Sequence, residues 1–123
     1  MANILVVDDD APLVNAQGEF LRRAGHTVST AANGKQAMDL VAHNDFDLVI
    51  TDLFMPEKEG IATILELRRK VPKIKIIAMS GGTVMIGAKD NLSMARMFGA
   101  SLTLAKPFSG QTLITAITQV LSL

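Results

Sequence analysis

Apolar positions along the chain follow two rhythms that take turns. Five short runs are apolar at consecutive or alternating positions: Asn3–Val7, His26–Ala31, Phe46–Thr51, Lys73–Met79 and Ser101–Ala105. Rich in branched residues, they read as strands. The Phe46–Thr51 run is apolar on both faces (Phe46, Leu48, Val49, Ile50), as in a parallel sheet covered on each side. Between the runs the spacing turns helical. A first helix opens around Pro12, with Asp10 or Ala11 just before it, buries Leu13, Phe20, Leu21 and Ala24, and stops at Gly25. Asn33–Gln36 resembles a capping box opening a second helix with Ala37, Leu40 and Val41 inward. A third, about Glu59 to Lys70, buries Ile61, Ile64, Leu65 and Leu67, with Pro72 beyond its end. A fourth runs roughly from Lys89 to Phe98 and ends at Gly99. A fifth starts near Ser109 and buries Leu113, Ile117, Val120 and Leu121.

Strand and helix therefore alternate five times over residues 1–123, read as one domain. Short strand–helix connections imply parallel strands with right-handed crossovers. The expected fold is α/β: a (βα)5 flavodoxin-like, doubly wound, five-stranded parallel sheet in the order 2-1-3-4-5. All strand C-termini then share one edge, where such sheets carry their sites.

Composition narrows the function. Apolar residues make up 49% of the 123, enough for a core, and there is no Cys, hence no disulfide and no thiolate chemistry. His26 and His43 lie in segments that read as surface, and neither is taken as a metal ligand. No segment reads as a signal peptide or a membrane span, so the expected location is cytoplasmic. Net charge is zero but divided: residues 1–62 carry ten acids and four bases, residues 63–123 two acids and eight bases. That scatter makes no nucleic-acid footprint, and Arg68-Arg69-Lys70 suits a last helical turn.

The strand ends carry the chemistry. Strand 1 delivers Asp8 and Asp9, strand 3 Asp52, strand 4 Ser80 and strand 5 Lys106. With strands 1 and 3 adjacent, three carboxylates converge; at about 5 Å and an effective dielectric near 20, each pair costs about 3 kcal/mol. A cation relieves that cost, and all-oxygen ligands with room for water favour Mg²⁺, or Mn²⁺, over zinc. A dication with a partly open shell can also hold a phosphoryl oxygen. Lys106 adds a point charge and Ser80 a hydroxyl donor, both suited to an anionic group. Asp52 is then the accepting carboxylate, and an acyl phosphate the sensible product.

At these residues the chain resembles the receiver domain of bacterial two-component response regulators. The matching pieces are ILVVDD (4–9), DLVITDLFMP (47–56) with Gly60 behind it, IIAMSG (76–81) and GAS…KPF (99–108). The resemblance covers essentially the whole chain. It implies that Asp52 accepts a phosphoryl group from a phosphohistidine on a histidine kinase or phosphotransfer protein. It implies direct Mg²⁺ ligation by Asp9 and Asp52, ligation by Asp8 mostly through water, and a further ligand in the backbone carbonyl of Phe54. Lys106 would contact the phosphoryl oxygens, Ser80 would move toward them, and Lys106-Pro107 would be cis. Helix 1 and the loops around the site would face the kinase, and the helix 4–strand 5–helix 5 face would signal to an output domain or protein. No nucleic-acid or membrane contact, and no independent turnover, is implied.

Two departures fall on the signalling side. The family's strand-5 aromatic, three residues before the Lys, is Thr103 here, and Ser80 to Lys106 is some four residues longer than is common, around Gly81–Gly87. That glycine-rich loop is expected to carry part of the switch. Phe54 and Gly82, flanking the phosphoryl position, suggest a long-lived phospho-form. Two other readings compete. One is a receiver-like scaffold working without phosphorylation. The other is a haloacid-dehalogenase-type phosphatase, whose Asp-x-Asp Asp8-Asp9-Asp10 superficially fits, although Pro12 and the lack of a late acidic pair speak against it.

Overall fold

The two rhythms sort into strands and helices in the predicted order. The computed structural model describes residues 2–53, 59–80 and 99–122. In sequence come β1 (Asn3–Val7), α1 (Ala11–Arg23), β2 (Thr27–Ala31), α2 (Gly34–His43), β3 (Leu48–Asp52), α3 (Glu59–Lys70), β4 (Lys75–Ser80), β5 (Leu102–Ala105) and a C-terminal helix (Gly110–Leu121). Met55 and Pro56 at the end of the DLVITDLFMP piece, the Gly81–Gly87 loop and the expected Lys89–Phe98 helix lie outside the described residues. The five strands form one sheet, β2-β1-β3-β4-β5, with every pairing parallel.

The core lies on both faces of the sheet. Successive residues of β1 point to opposite sides: Leu5 and Val7 join Val49, Ile76, Ile64 and Leu67 under α2 and α3. Ile4 and Val6 join Ile50, Ile77, Leu21 and Ile117 under α1 and the C-terminal helix. Ile4 to Val7 are wholly buried, each worth about 1.5–3 kcal/mol against exposure. This two-sided burial makes β1 and β3 apolar without alternation, as the sequence showed. No helix among the described residues is long and apolar enough to cross a membrane.

Local signals set the helix ends. Asp10 is the N-cap of α1, its carboxylate accepting from the Leu13 N–H at 3.2 Å. Asn33 caps α2 by accepting from the Gln36 N–H at 2.8 Å, and the Gln36 carboxamide oxygen accepts from the Ala32 N–H at 2.8 Å. Ser109 caps the last helix through the Thr112 N–H. Gly25, at φ +100°, ends α1 as expected.

Two expected core residues are on the surface. Phe20 is 40% exposed and Leu65 42%. The buried stripe of α1 is Val14, Gln17, Gly18 and Leu21, and Phe20 stands beside it. Its ring lies against Gly110, where a Cβ would come within 2.6 Å of Cζ. In α3 the inner line runs through Ile64 and Leu67, which turns Leu65 outward.

Candidate functional site

Strand register assembles the site. Val7 pairs with Thr51, Asp52 with Met79 and Ser80 with Ala105. Asp8 and Asp52 therefore lie level on neighbouring strands, each one step beyond the Val7–Thr51 pair, and Lys106 is one step beyond the Ser80–Ala105 pair. Backbone bonds hold the exits together: the Leu53 N–H donates to the Met79 carbonyl at 2.8 Å, and the Lys106 N–H to the Ser80 carbonyl at 2.7 Å.

The three predicted carboxylates converge. Oxygens of Asp8, Asp9 and Asp52 lie within 4.8 Å of one another, with Asp8 and Asp52 buried and Asp9 exposed. Lys106 answers two of them: its Nζ is 2.7 Å from Asp8 Oδ2 and 3.6 Å from Asp52 Oδ2. Asp8 Oδ1 also accepts from the Asp10 N–H at 3.0 Å. Three carboxylates within 4.8 Å, two of them buried, concentrate negative charge at one spot. The donors are all hard oxygens, so the set fits a divalent cation of the Mg²⁺ or Mn²⁺ kind. Both histidines lie apart from this cluster; His26 accepts from the Ala2 N–H, and His43 bonds the Asp39 carbonyl.

Ser80 is wholly buried, and its Oγ has no hydrogen-bond partner among the described residues. A buried hydroxyl without a partner costs free energy, and it stands at the strand end beside Asp52. Thr103, where the resemblance expects a ring, is half-buried on β5 opposite Ala78. The Lys106-Pro107 bond is cis, as the resemblance implied. Phe54 and Gly82 lie outside the described residues.

Several supporting features were not read from the sequence. At Gly60 an added Cβ would sit 2.5 Å from the Asp52 carbonyl oxygen and 2.5 Å from Leu53 Cα, so α3 starts pressed on the backbone leaving the site. Gly60 stood in the sequence only as part of a motif. Arg68, read as a favourable last-turn charge, does more. Its guanidinium donates to the carbonyls of Pro72, Ile74 and Gly99, and burial lowers its pKa. Gln17, a carboxamide inside the apolar stripe of α1, is buried as well.

Comparison with known proteins agrees with this geometry. The family model described as response regulator receiver domain matches residues 4–118. The chain is 34% identical over 121 residues to the DNA-binding transcriptional regulator NtrC of Azospirillum brasilense, covering 98% of this chain and 24% of that protein. It is 30% identical over 122 residues to the response regulator SaeR of Staphylococcus aureus, covering 99% and 51%. The chain thus spans between a quarter and a half of these relatives. Among solved structures, a response regulator receiver domain protein from Clostridium thermocellum superposes with a TM-score of 0.89 at 30% identity, covering 99% of this chain and 95% of that one. A CheY-like receiver domain protein from Methanospirillum hungatei gives a TM-score of 0.89 at 24% identity, covering 99% and 94%, a likeness of fold.

Proposed function

This chain belongs to the response regulator receiver domain family of two-component systems, and on that premise we propose that Asp52 is the residue that takes the phosphoryl group. The observation that carries the proposal is the joint position of Asp8, Asp9, Asp52, Ser80 and Lys106 at one sheet edge, with a lysine bridging two of the acids.

The donor is a phosphohistidine on a histidine kinase or phosphotransfer protein. A carboxylate oxygen of Asp52 attacks phosphorus, the P–N bond breaks, and its electron pair leaves with the imidazole, which takes up a proton. The product is an acyl phosphate. Asp8 and Asp9, with Asp52, would hold Mg²⁺ or Mn²⁺; when bound, the cation neutralises charge on the transferring oxygens. Lys106 leaves Asp8 for a phosphoryl oxygen at short range. The buried Ser80 hydroxyl, without a partner among the described residues, is a donor ready for another such oxygen. Hydrolysis of the acyl phosphate would return the domain to its starting state, so we expect single transfers and a slow self-dephosphorylation rather than independent turnover. The kinase and any output domain or protein are partners by the same reasoning, and a cytoplasmic location follows from a partner kinase. The helix 4–strand 5–helix 5 face remains the proposed route outward.

The phosphatase alternative loses its second acid. In an Asp-x-Asp reading Asp10 would handle the proton, but its carboxylate is exposed and caps α1.

Intact mass after incubation with Mg²⁺ and a small phosphodonor tests the proposal. Wild type is expected to gain one phosphoryl group and Asp52→Asn none. Equal gain by both would move the acceptor elsewhere; no gain by either would favour the scaffold reading.

A further inference from the structure

Three acids follow β1 in a row, and the third is turned away from the other two. Oxygens of Asp8 and Asp9 gather with Asp52, whereas Asp10 Oδ1 accepts from the Leu13 N–H at 3.2 Å and caps α1. Two further bonds meet at Asp10. Its carbonyl accepts from the Val14 N–H at 2.9 Å, which closes the first turn of α1, and its own N–H donates to Asp8 Oδ1 at 3.0 Å. The direction of that N–H is thus set by the helix that Asp10 caps. Asp8 keeps 1% of its surface. Its carboxylate is held from two sides among the described residues, by the Asp10 N–H on Oδ1 and by Lys106 on Oδ2.

We propose that Asp10 is a positioning residue for the cation site: by capping α1 it holds its own N–H on Asp8 Oδ1, and so keeps the Asp8 carboxylate in place beside Asp9 and Asp52. This rests on the reading of the acid cluster as a Mg²⁺ or Mn²⁺ site. On that reading Lys106 leaves Asp8 during transfer, and the Asp10 N–H is the bond that still fixes the Asp8 side chain. Without a side-chain acceptor at residue 10 the Leu13 N–H loses its partner and the first turn of α1 frays. The N–H of residue 10 then swings with the turn. An incoming ion must order Asp8 as it binds, and affinity falls accordingly. A cap that served only the helix would matter equally with and without the ion, and would leave affinity unchanged. Charge at residue 10 plays the smaller part, because that carboxylate is exposed and screened.

Calorimetric titration of Mg²⁺ into the whole chain tests this. Asp10→Ala removes both cap and charge, whereas Asp10→Asn and Asp10→Ser remove the charge and keep a capping oxygen. Asp10→Ala is expected to weaken Mg²⁺ binding about fivefold, the size of one helix cap. The Asn and Ser variants are expected to stay within about twofold of wild type, the residue of a screened charge. Asn33→Ala, which uncaps α2 instead, is expected to lower stability comparably and to bind Mg²⁺ as wild type does. Equal weakening in all three Asp10 variants would assign the effect to charge and overturn the proposal. Equal weakening in Asn33→Ala, or wild-type affinity in Asp10→Ala, overturns it too, leaving a cap that serves the helix alone. These failures are seen with wild type binding the ion, so they leave the cation site standing; a wild type that binds no Mg²⁺ would take down the site and this proposal together.

Discussion

Lys106 Nζ stands 2.7 Å from Asp8 Oδ2 and 3.6 Å from Asp52 Oδ2, so a single ammonium serves two buried acids. Removing one partner of a buried pair strands the other charge, at several kcal/mol when both are fully enclosed. Lys106 keeps 19% side-chain exposure, so water softens the loss. Lys106→Ala is therefore expected to lower stability in chelator by about 2 kcal/mol, with Mg²⁺ restoring most of it. Urea unfolding with and without the ion measures this; an equal loss in both would mean that lysine and cation do not answer the same charge.

Asp9 differs from its two neighbours in being exposed. Its charge adds to the repulsion in the cluster, but solvent screens it. Asp9→Asn is expected to leave the cation-free protein as stable or slightly more so, while weakening Mg²⁺ binding about tenfold or more, because affinity for a hard cation follows ligand charge. Calorimetric titration decides it, and unchanged affinity would take Asp9 out of the ligand set.

Ser80 offers a case in which function and stability part company. Its Oγ is buried without a partner among the described residues, so Ser80→Ala removes a group they leave unsatisfied. The expected stability change is between zero and a gain of about 1 kcal/mol. The same variant is expected to be phosphorylated yet to show a smaller structural response, read by amide exchange with and without a phosphoryl mimic. A clear loss of stability would show that the hydroxyl is satisfied in solution.

At Gly60 the reason for glycine is steric. A Cβ would meet the backbone of Asp52 and Leu53 at 2.5 Å, and backbone cannot yield as a side-chain tip can. Gly60→Ala is expected to cost about 2–3 kcal/mol, at the upper end for overpacking, and to slow transfer to Asp52 by displacing the acceptor. Wild-type stability would mean that α3 can move off the site cheaply.

Arg68 and Gly99 depend on each other. Arg68 donates to the carbonyls of Pro72, Ile74 and Gly99, tying the end of α3 to the residues leading into β4 and β5. Gly99 sits at φ +119°, and a Cβ there would approach Arg68 Nε to 2.6 Å. Arg68→Ala is expected to cost about 2–3 kcal/mol through several lost charge-assisted bonds, with Lys recovering little because it lacks the planar fork. Gly99→Ala should also destabilise, and the double variant should cost less than the two single costs combined, because the clash with Arg68 is gone. Strict additivity in unfolding experiments would break the pairing.

Much of the site was legible because strand ends are marked locally. A branched apolar run that stops at an acid, a serine or a lysine announces itself, and alternation of β with α fixes the edge to which all those ends point. Asp8, Asp9, Asp52, Ser80 and Lys106 came from that rule. Phe20 and Leu65 were misplaced because helical spacing fixes a stripe only to within one position, and an adjacent residue looks equally apolar. The stripe of α1 runs through Gln17, a residue that composition assigns to the surface. Arg68 looked like an ordinary last-turn charge, since its carbonyl partners, Gly99 among them, are set by chain reversal and not by spacing.

By itself the sequence determined the order of elements, the parallel sheet, the edge that carries the acids and the caps that start the helices. These follow from short-range chemistry: side-chain period, capping and the reach of short connections. Tertiary structure alone decided that Lys106 bridges Asp8 and Asp52, that Ser80 Oγ and Gln17 Oε1 are buried without partners among the described residues, and that Gly60 and Gly99 have no room for a side chain. Each of those depends on distances between segments far apart in the chain, which are fixed only when both faces of the sheet are packed.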